Sequence, residues 1–323
     1  MITDQNDFLK RCDNFLMHYS SEYTNFLSSL HSSIEIKILK NYSQEDELQG
    51  IFPYAIFKDD DLGTCINSLP FYGSHGGPIS LKKEVRKNLV ENFFKDISEL
   101  DPTFTTVIEN PFFPLDDETF TENGFIVEDD RIGQLTYLPK KMEDFHQKTR
   151  NAIRKGQKIQ LLIDNKIDND SWAWMQEVHE KSIIKLGGKP KSKKIFESLR
   201  NNFGENVELW TGALGEDLIA GVVIIKYENT IEYFTPVVEE EFRDSQALSA
   251  LIYNLMENFS MQGFKLWNWG GTWRNQEGVY RFKNRWGAED MIYRYFNKKK
   301  DDISSENLEA FKEKFPYFYL FKY

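Results

Sequence analysis

Residues Lys265 to Trp286 read KLWNWGGTWRNQEGVYRFKNRW: an aromatic strand, a turn on Gly270 and Gly271, and a helix. Val279, Phe282 and Trp286 share one face of that helix. At roughly 100° per residue, Lys283 lies about 40° from this face while Arg281 and Arg285 point away. A lysine turned toward the interior needs a partner, because an unpaired buried cation is costly. The two glycines allow backbone N–H groups to approach an anion, with the helix dipole in support. Asn275 is the expected N-cap.

Working outward, the segment closes a longer pattern. VELWTGALG, DLIAGVVIIKY and NTIEYFTPVV read as three strands joined at Gly215-Glu216 and Glu228-Asn229, then a loop, EEEFRDSQ, and a helix with apolar residues from Leu248 to Phe259. The same order occurs earlier. Strands through Ile34–Ile38, LQGIFPYAIF and LGTCINSLPF lead into FYGSHGGPIS at 71–80, then a helix with Leu81, Val85, Leu89, Phe93 and Ile97 at four-residue steps, then a strand at 104–108. The two helix starts are roughly 166 residues apart, so the chain reads as two divergent copies of one plan. The acidic, turn-rich stretch 110–130 separates them, giving expected domains 1–127 and 128–323. The fold class is α/β (α+β), with a mixed, mainly antiparallel sheet in each domain flanked by helices.

Forty Lys and Arg against 51 Asp and Glu leave a net charge of −11, which argues against a general electrostatic grip on nucleic acid and against DNA as a partner. Cys12 and Cys65 form no CxxC pair, and His18, His31, His75, His146 and His179 show no ligand spacing, so no metal site is expected. Nothing approaches the run of about 18 apolar residues that spans a bilayer. The expectation is a cytoplasmic protein, not an integral membrane one.

The segment GGTWRNQEGVYRFKNRWGA at 270–288 resembles the C-terminal signature of the FemABX-like branch of the GNAT (Gcn5-related N-acetyltransferase) superfamily, with Trp286 and Ala288 where Phe and Gly are usual. KTRNAIRKGQK at 148–158 is similar to the basic segment opening that family's second domain, and SLPFYGSHGG at 68–77 to its first-domain loop. The resemblance implies tandem GNAT-like domains and an acyltransferase. Its reaction moves an acyl or aminoacyl group from a thioester or ester donor to an amine of a nucleotide- or lipid-linked cell-envelope sugar or peptide precursor. The donors it implies are acyl-CoA and aminoacyl-tRNA. Two alternatives stand beside this reading: an aminoacyl-tRNA-dependent transferase building peptidoglycan bridges, and a non-catalytic glycan- or protein-binding module on the same scaffold.

Such a reaction needs an amine relieved of its proton and a stabilised oxyanion. The candidate catalytic residues are Lys283, for a substrate phosphate or the oxyanion; Tyr280, to donate a proton or position the acceptor; and Glu232, on the strand where GNAT enzymes often place a base. Candidate binding residues are Tyr72, Ser74, His75 and Gly76 in the first-domain loop, Arg150 and Arg154 on a cationic helix line with Lys158, Gly270 and Gly271 at the turn, and Phe282 beside Lys283. Each has a structural reading too: a snorkelling lysine, a core tyrosine, a surface carboxylate, a strand-to-helix connection, a solvated helix face. EEEFRDSQ at 239–246 has three glutamates and no glycine, which opposes the pyrophosphate of coenzyme A. Replacing Lys283 by Ala is expected to lower turnover and leave the fold intact.

Overall fold

The computed structural model describes residues 5–12, 16–60, 63–69, 71, 75–128, 131–300, 303–315 and 318. Contacts divide the chain into two units, Met1–Ile132 with Ile292–Tyr323, and Gly133–Met291.

In unit 1, α1 (Gln5–Arg11) and α2 (Ser21–Leu30) precede β1 (Ile34–Tyr42), β2 (Leu48–Asp59) and β3 (Gly63–Asn67), which pair antiparallel in sequence order. α3 (Lys83–Leu100) then crosses to β4 (Phe104–Ile108), parallel to β3, the kind of connection that a parallel neighbour requires. Val85, Leu89, Phe93 and Ile97 are buried with Phe52, Tyr54, Ile66 and Val107 in one core. Leu81, the first member of the four-residue series, precedes the helix and is exposed. α4 (Asp117–Glu122) and β5 (Ile126–Glu128) follow.

Unit 2 takes in most of β6 (Arg131–Tyr137), then α5 (Gln147–Gln157), β7 (Leu162–Lys166), α6 (Asn169–Lys185) and α7 (Lys193–Phe203). The meander β8 (Val207–Leu214), β9 (Asp217–Tyr227) and β10 (Thr230–Val238) comes next, and α8 (Ala247–Met261) crosses to β11 (Leu266–Trp273), which lies parallel to β10. α9 (Glu277–Asn284) and β12 (Glu289–Ile292) complete the order β12-β6-β11-β10-β9-β8-β7. Both units therefore repeat one plan, as the sequence pattern predicts: an antiparallel meander, a crossover helix and a parallel strand. In unit 2 the core joins Ile153 of α5 and Leu251, Leu255 and Phe259 of α8 to Ile231, Trp267, Trp269 and Trp286.

The chain then returns. β13 (Tyr295–Lys299) pairs antiparallel with both β4 and β5, giving unit 1 the order β1-β2-β3-β4-β13-β5, and α10 (Ser305–Lys314) follows. A single division at 127/128 does not describe this arrangement, because the contacts place 292–323 with the first unit. Arg294 gives the physical reason. Its guanidinium reaches both oxygens of the buried Glu109 carboxylate at 2.6 and 2.9 Å, the Leu115 carbonyl at 2.9 Å and the Asp117 carboxylate. A bidentate pair of this kind fixes direction as well as distance.

α5 and α8 cross at Gly156. A Cβ there would sit 2.8 Å from the Ala250 Cβ and well inside contact with the Gln246 carbonyl oxygen. Gly156→Ala is therefore expected to destabilise the protein by about 1–3 kcal/mol despite alanine's better helix propensity, because a backbone oxygen must move. Urea unfolding measures it, and a variant as stable as the parent would remove this crossing as a constraint.

Candidate active site

β10 and β11 pair at three positions only, Thr230 with Leu266, Ile231 with Trp267 and Glu232 with Asn268, although the strands run on to Val238 and Trp273. Strand alternation turns Ile231, Trp267 and Trp269 into the helix-side core and sends Glu232 and Asn268 to the other face. There the Asn268 amide donates to Glu232 Oε1 at 2.8 Å and its Oδ1 accepts from the Gly270 N–H at 2.9 Å. Glu232 is 6% exposed, and burial pushes its carboxyl up to about 7, partly offset by the bond from Asn268. β10 also changes register between Tyr233 and Thr235, one residue beyond this pair.

The two glycines lie inside β11 rather than after it, and α9 starts only at Glu277, with Gln276 and not Asn275 as its N-cap. Gly270 takes a φ of 68°, a region that disfavours other residues. Its N–H is engaged by Asn268, so the expected anion-facing amide is occupied at this position. What the turn presents to α9 is oxygen. The Lys283 ammonium donates to the carbonyls of Gly270 at 3.2 Å and Gly271 at 3.3 Å and to Thr272 Oγ1 at 2.7 Å.

Lys283 is the buried residue of α9, at 7% exposure, whereas Val279 is 44% and Phe282 37% exposed. The apolar face read from the sequence thus narrows to Trp286, because a helix of this length sets only its 283/286 side on β11. Phe282 meets the edge of Trp269 at 5.8 Å between ring centres.

From Thr272 a hydrogen-bonded chain continues. Its hydroxyl donates to Gln134 Oε1 at 3.3 Å, Gln134 Nε2 donates to Asp290 Oδ1 at 3.4 Å, and Tyr280 donates to Asp290 Oδ2 at 2.8 Å. Tyr280's phenol is pushed above its ordinary value, first by that bond. The structure therefore brings Glu232, Gly270, Gly271, Lys283 and Tyr280 into one connected set. It adds Asn268, Thr272, Gln134 and Asp290, which the sequence pattern did not single out.

The other candidates stand apart from this set. Arg150, half-buried on α5, donates to the carbonyls of Phe145 at 2.7 Å and Glu143 at 3.4 Å, and Arg154 is exposed. In unit 1, His75 is buried, its ring 4.4 Å from Tyr293 and 5.7 Å from His18, and burial holds its imidazole down at about 4. Gly76 donates to the Ile108 carbonyl and accepts from Tyr19, and a Cβ there would lie 2.6 Å from the Ser68 carbonyl oxygen. These contacts give His75 and Gly76 packing roles. Tyr72 and Ser74 lie outside the described residues. Among the described residues no group of His, Cys, Asp and Glu is placed to hold a metal ion, and no helix is long and apolar enough to cross a membrane.

Residues 143–284 match the family model of the acetyltransferase (GNAT) domain. FemX superposes over 96% of this chain and 97% of its own with a TM-score of 0.71 at 13% identity. A domain ascribed to a lysylphosphatidylglycerol synthetase of Agrobacterium fabrum superposes over 98% of both chains at 0.59 and 11% identity. A tandem GNAT protein from the clavulanic acid biosynthesis pathway covers 94% of this chain and 98% of its own at 0.51 and 11% identity. No curated protein matches significantly by sequence.

The GNAT domain raises acyl-CoA as a donor, and the segment before α8 bears on it. Glu239 accepts from Trp174 at 2.8 Å, Glu240 pairs with Lys185, the Gln246 N–H is bonded to the Arg243 carbonyl, and α5 packs on Gln246 through Gly156. These engagements count against a pyrophosphate at this segment. The chain thus carries a GNAT acetyltransferase domain at 143–284, set in a tandem fold similar to that of FemX.

Proposed function

We propose that this protein transfers an acyl or aminoacyl group from an ester or thioester donor to the amine of a nucleotide- or lipid-linked cell-envelope sugar or peptide precursor. The observation that carries this reading is Glu232. It is a buried carboxyl with a pKa raised to about 7, held by Asn268 at the point where β10 and β11 stop pairing. An acceptor amine arrives as an ammonium and must lose a proton before its nitrogen attacks the donor carbonyl. A base poised near neutrality takes that proton and returns one to the leaving oxygen or sulfur as the old bond breaks. Lys283 acts on the turn: its contacts to two carbonyls and a hydroxyl fix the Gly270-Gly271 backbone and set a positive charge beside it. To meet an oxyanion directly it must exchange one of those bonds.

A second reading specifies the donor as an aminoacyl-tRNA ester. The poor fit of the 239–246 segment to a pyrophosphate favours it, as does the likeness to a domain ascribed to lysylphosphatidylglycerol synthetase. The net charge of −11 opposes it, leaving the Arg150, Arg154 and Lys158 line as the local cationic surface for a nucleic acid.

Release of the acyl group from charged tRNA and from acyl-CoA, measured beside each other with envelope-precursor extracts as acceptor, distinguishes the two donors. Glu232→Gln is expected to lower turnover by about 10²–10⁴-fold with either. In the parent, kcat/KM rises with pH through about 7 as Glu232 ionises. Undiminished turnover in the Gln variant would sink the assignment.

The same carboxyl makes a stability prediction that needs no substrate. Its folded pKa lies above the ordinary 4.5, so between about 4.5 and 7 the folded state binds the proton that the unfolded state has released. Stability is therefore lost as pH rises through that window, by about 3 kcal/mol in total. Glu232→Gln is expected to flatten this slope and to be more stable than the parent at pH 8. A parallel pair of urea-stability curves against pH would contradict it.

Lys283→Met is expected to lower stability by about 1.5–3 kcal/mol as well as turnover, because the carbonyls of Gly270 and Gly271 lose a charged donor. That outcome replaces the expectation of an intact fold drawn from the sequence. Thermal melting measures it, and an unchanged melting temperature would show that the ammonium does not hold the turn.

A further inference from the structure

In unit 1 a cavity of about 350 Å³ opens beside the first two turns of α3, within the size range of small-ligand sites, roughly 300–1,000 Å³. Lys83, Arg86 and Lys87 line it together with Val90 of the same helix face and with Leu115 and Phe120. Val90 and Phe120 are buried core residues, so the apolar wall is rigid. Arg86 is half-buried, held by a bond to the Ser80 carbonyl at 2.5 Å and lying 5.9 Å from the Phe113 ring centre.

The cations are unusual in two respects. They stand in the opening turns of an 18-residue helix, where the backbone dipole disfavours positive charge. Lys83 and Lys87 act on the Asp116 carboxylate of the same cavity only through longer-range attraction, and none of the three cations makes a salt bridge within 4 Å among the described residues, in a chain that carries a net charge of −11. Two carboxylates line the same cavity. Asp116 is committed to capping α4, accepting from the N–H of Thr119 at 3.2 Å and from its hydroxyl at 2.5 Å, and Glu84 is exposed. Three cations against two carboxylates leave a positive excess facing the opening.

We propose that this cavity binds a phosphate ester with an apolar substituent, the phosphate meeting Lys83, Arg86 and Lys87 and the substituent covering Val90, Leu115 and Phe120. A guanidinium fork with two ammonium groups suits a group with several charged oxygens, whereas a single carboxylate is matched by one fork alone. The apolar wall gives the substituent a surface to remove from water. The ester comes from a lipid headgroup or from a soluble compound, since both present the same chemistry to these residues. The site goes beyond the acyl-transfer reading and does not rest on it.

The test is titration calorimetry on the full chain at low salt with inorganic phosphate, hexyl phosphate and hexanoate. Hexyl phosphate is expected to bind roughly tenfold more tightly than inorganic phosphate, from burial of its first methylenes, and more tightly than hexanoate. Lys83 and Lys87 are exposed, so the double variant K83Q/K87Q keeps its melting temperature and is expected to lose at least about fivefold in affinity for hexyl phosphate. Co-sedimentation with phosphatidylglycerol vesicles, against phosphatidylcholine alone, assigns the source: pelleting that the double variant loses supports a lipid headgroup, and binding of the soluble ester alone supports a soluble one. The proposal is overturned if hexyl phosphate does not bind, if hexanoate binds equally well, or if the double variant binds as the parent does.

Discussion

The ammonium of Lys283, buried against the carbonyls of Gly270 and Gly271, is the contact on which the candidate site of unit 2 depends. Carbonyl oxygens in mid-strand ordinarily face another strand. In β11 the left-handed φ of Gly270 turns the backbone, and a cation receives the oxygens instead. A charge in that place requires hydrogen-bond partners on every side. Thr272, Gln134 and Asp290 extend the same requirement outward to the solvent-facing phenol of Tyr280. Asn268 secures the turn from the opposite side, so Glu232 is held by the same few residues of backbone that hold Lys283.

Local periodicity carried much of this arrangement in readable form. Helical phase turned Lys283 inward, and the three-strand, helix, strand order placed Glu232 on β10. Asn268 also lay in plain view between two tryptophans. The alternation that sends Trp267 and Trp269 into the core sends Asn268 to the face of Glu232, but the parallel register that makes them neighbours exists only once the sheet forms. Gln134 and Asp290 were further from reach. They sit 138 residues before Thr272 and 156 residues after Gln134, respectively, and no short spacing links them. His75 shows the reverse relation between pattern and packing. A glycine-rich segment with a histidine invites a ligand, yet its Gly76 is set by close approach to Ser68 and its imidazole is buried beside Tyr293.

The two units repeat an architecture but not an electrostatic character. Each has a crossover helix entered from a loop after the third strand of a meander. In unit 1 that helix opens with KKEVRK and borders a cationic cavity; in unit 2 the corresponding entry is EEEFRDSQ, with Glu239 engaged by Trp174, Glu240 by Lys185 and its last residue covered by α5. Backbone plan and site chemistry thus vary independently, because strand pairing and helix packing constrain the inward side chains and leave those at the helix entry free to differ.

The return of β13 to a place between β4 and β5 has a consequence for the order of events during synthesis. Unit 2 is a continuous stretch of chain, so once residue 291 has emerged from the ribosome all of its packing partners are present. Unit 1 is then still missing an interior strand and the guanidinium that neutralises the Glu109 carboxylate. The edges of β4 and β5 that β13 will fill stand open for the whole time that unit 2 is being translated, and unpaired edges of this kind invite association with other chains. The second unit to begin is in this way the first able to finish.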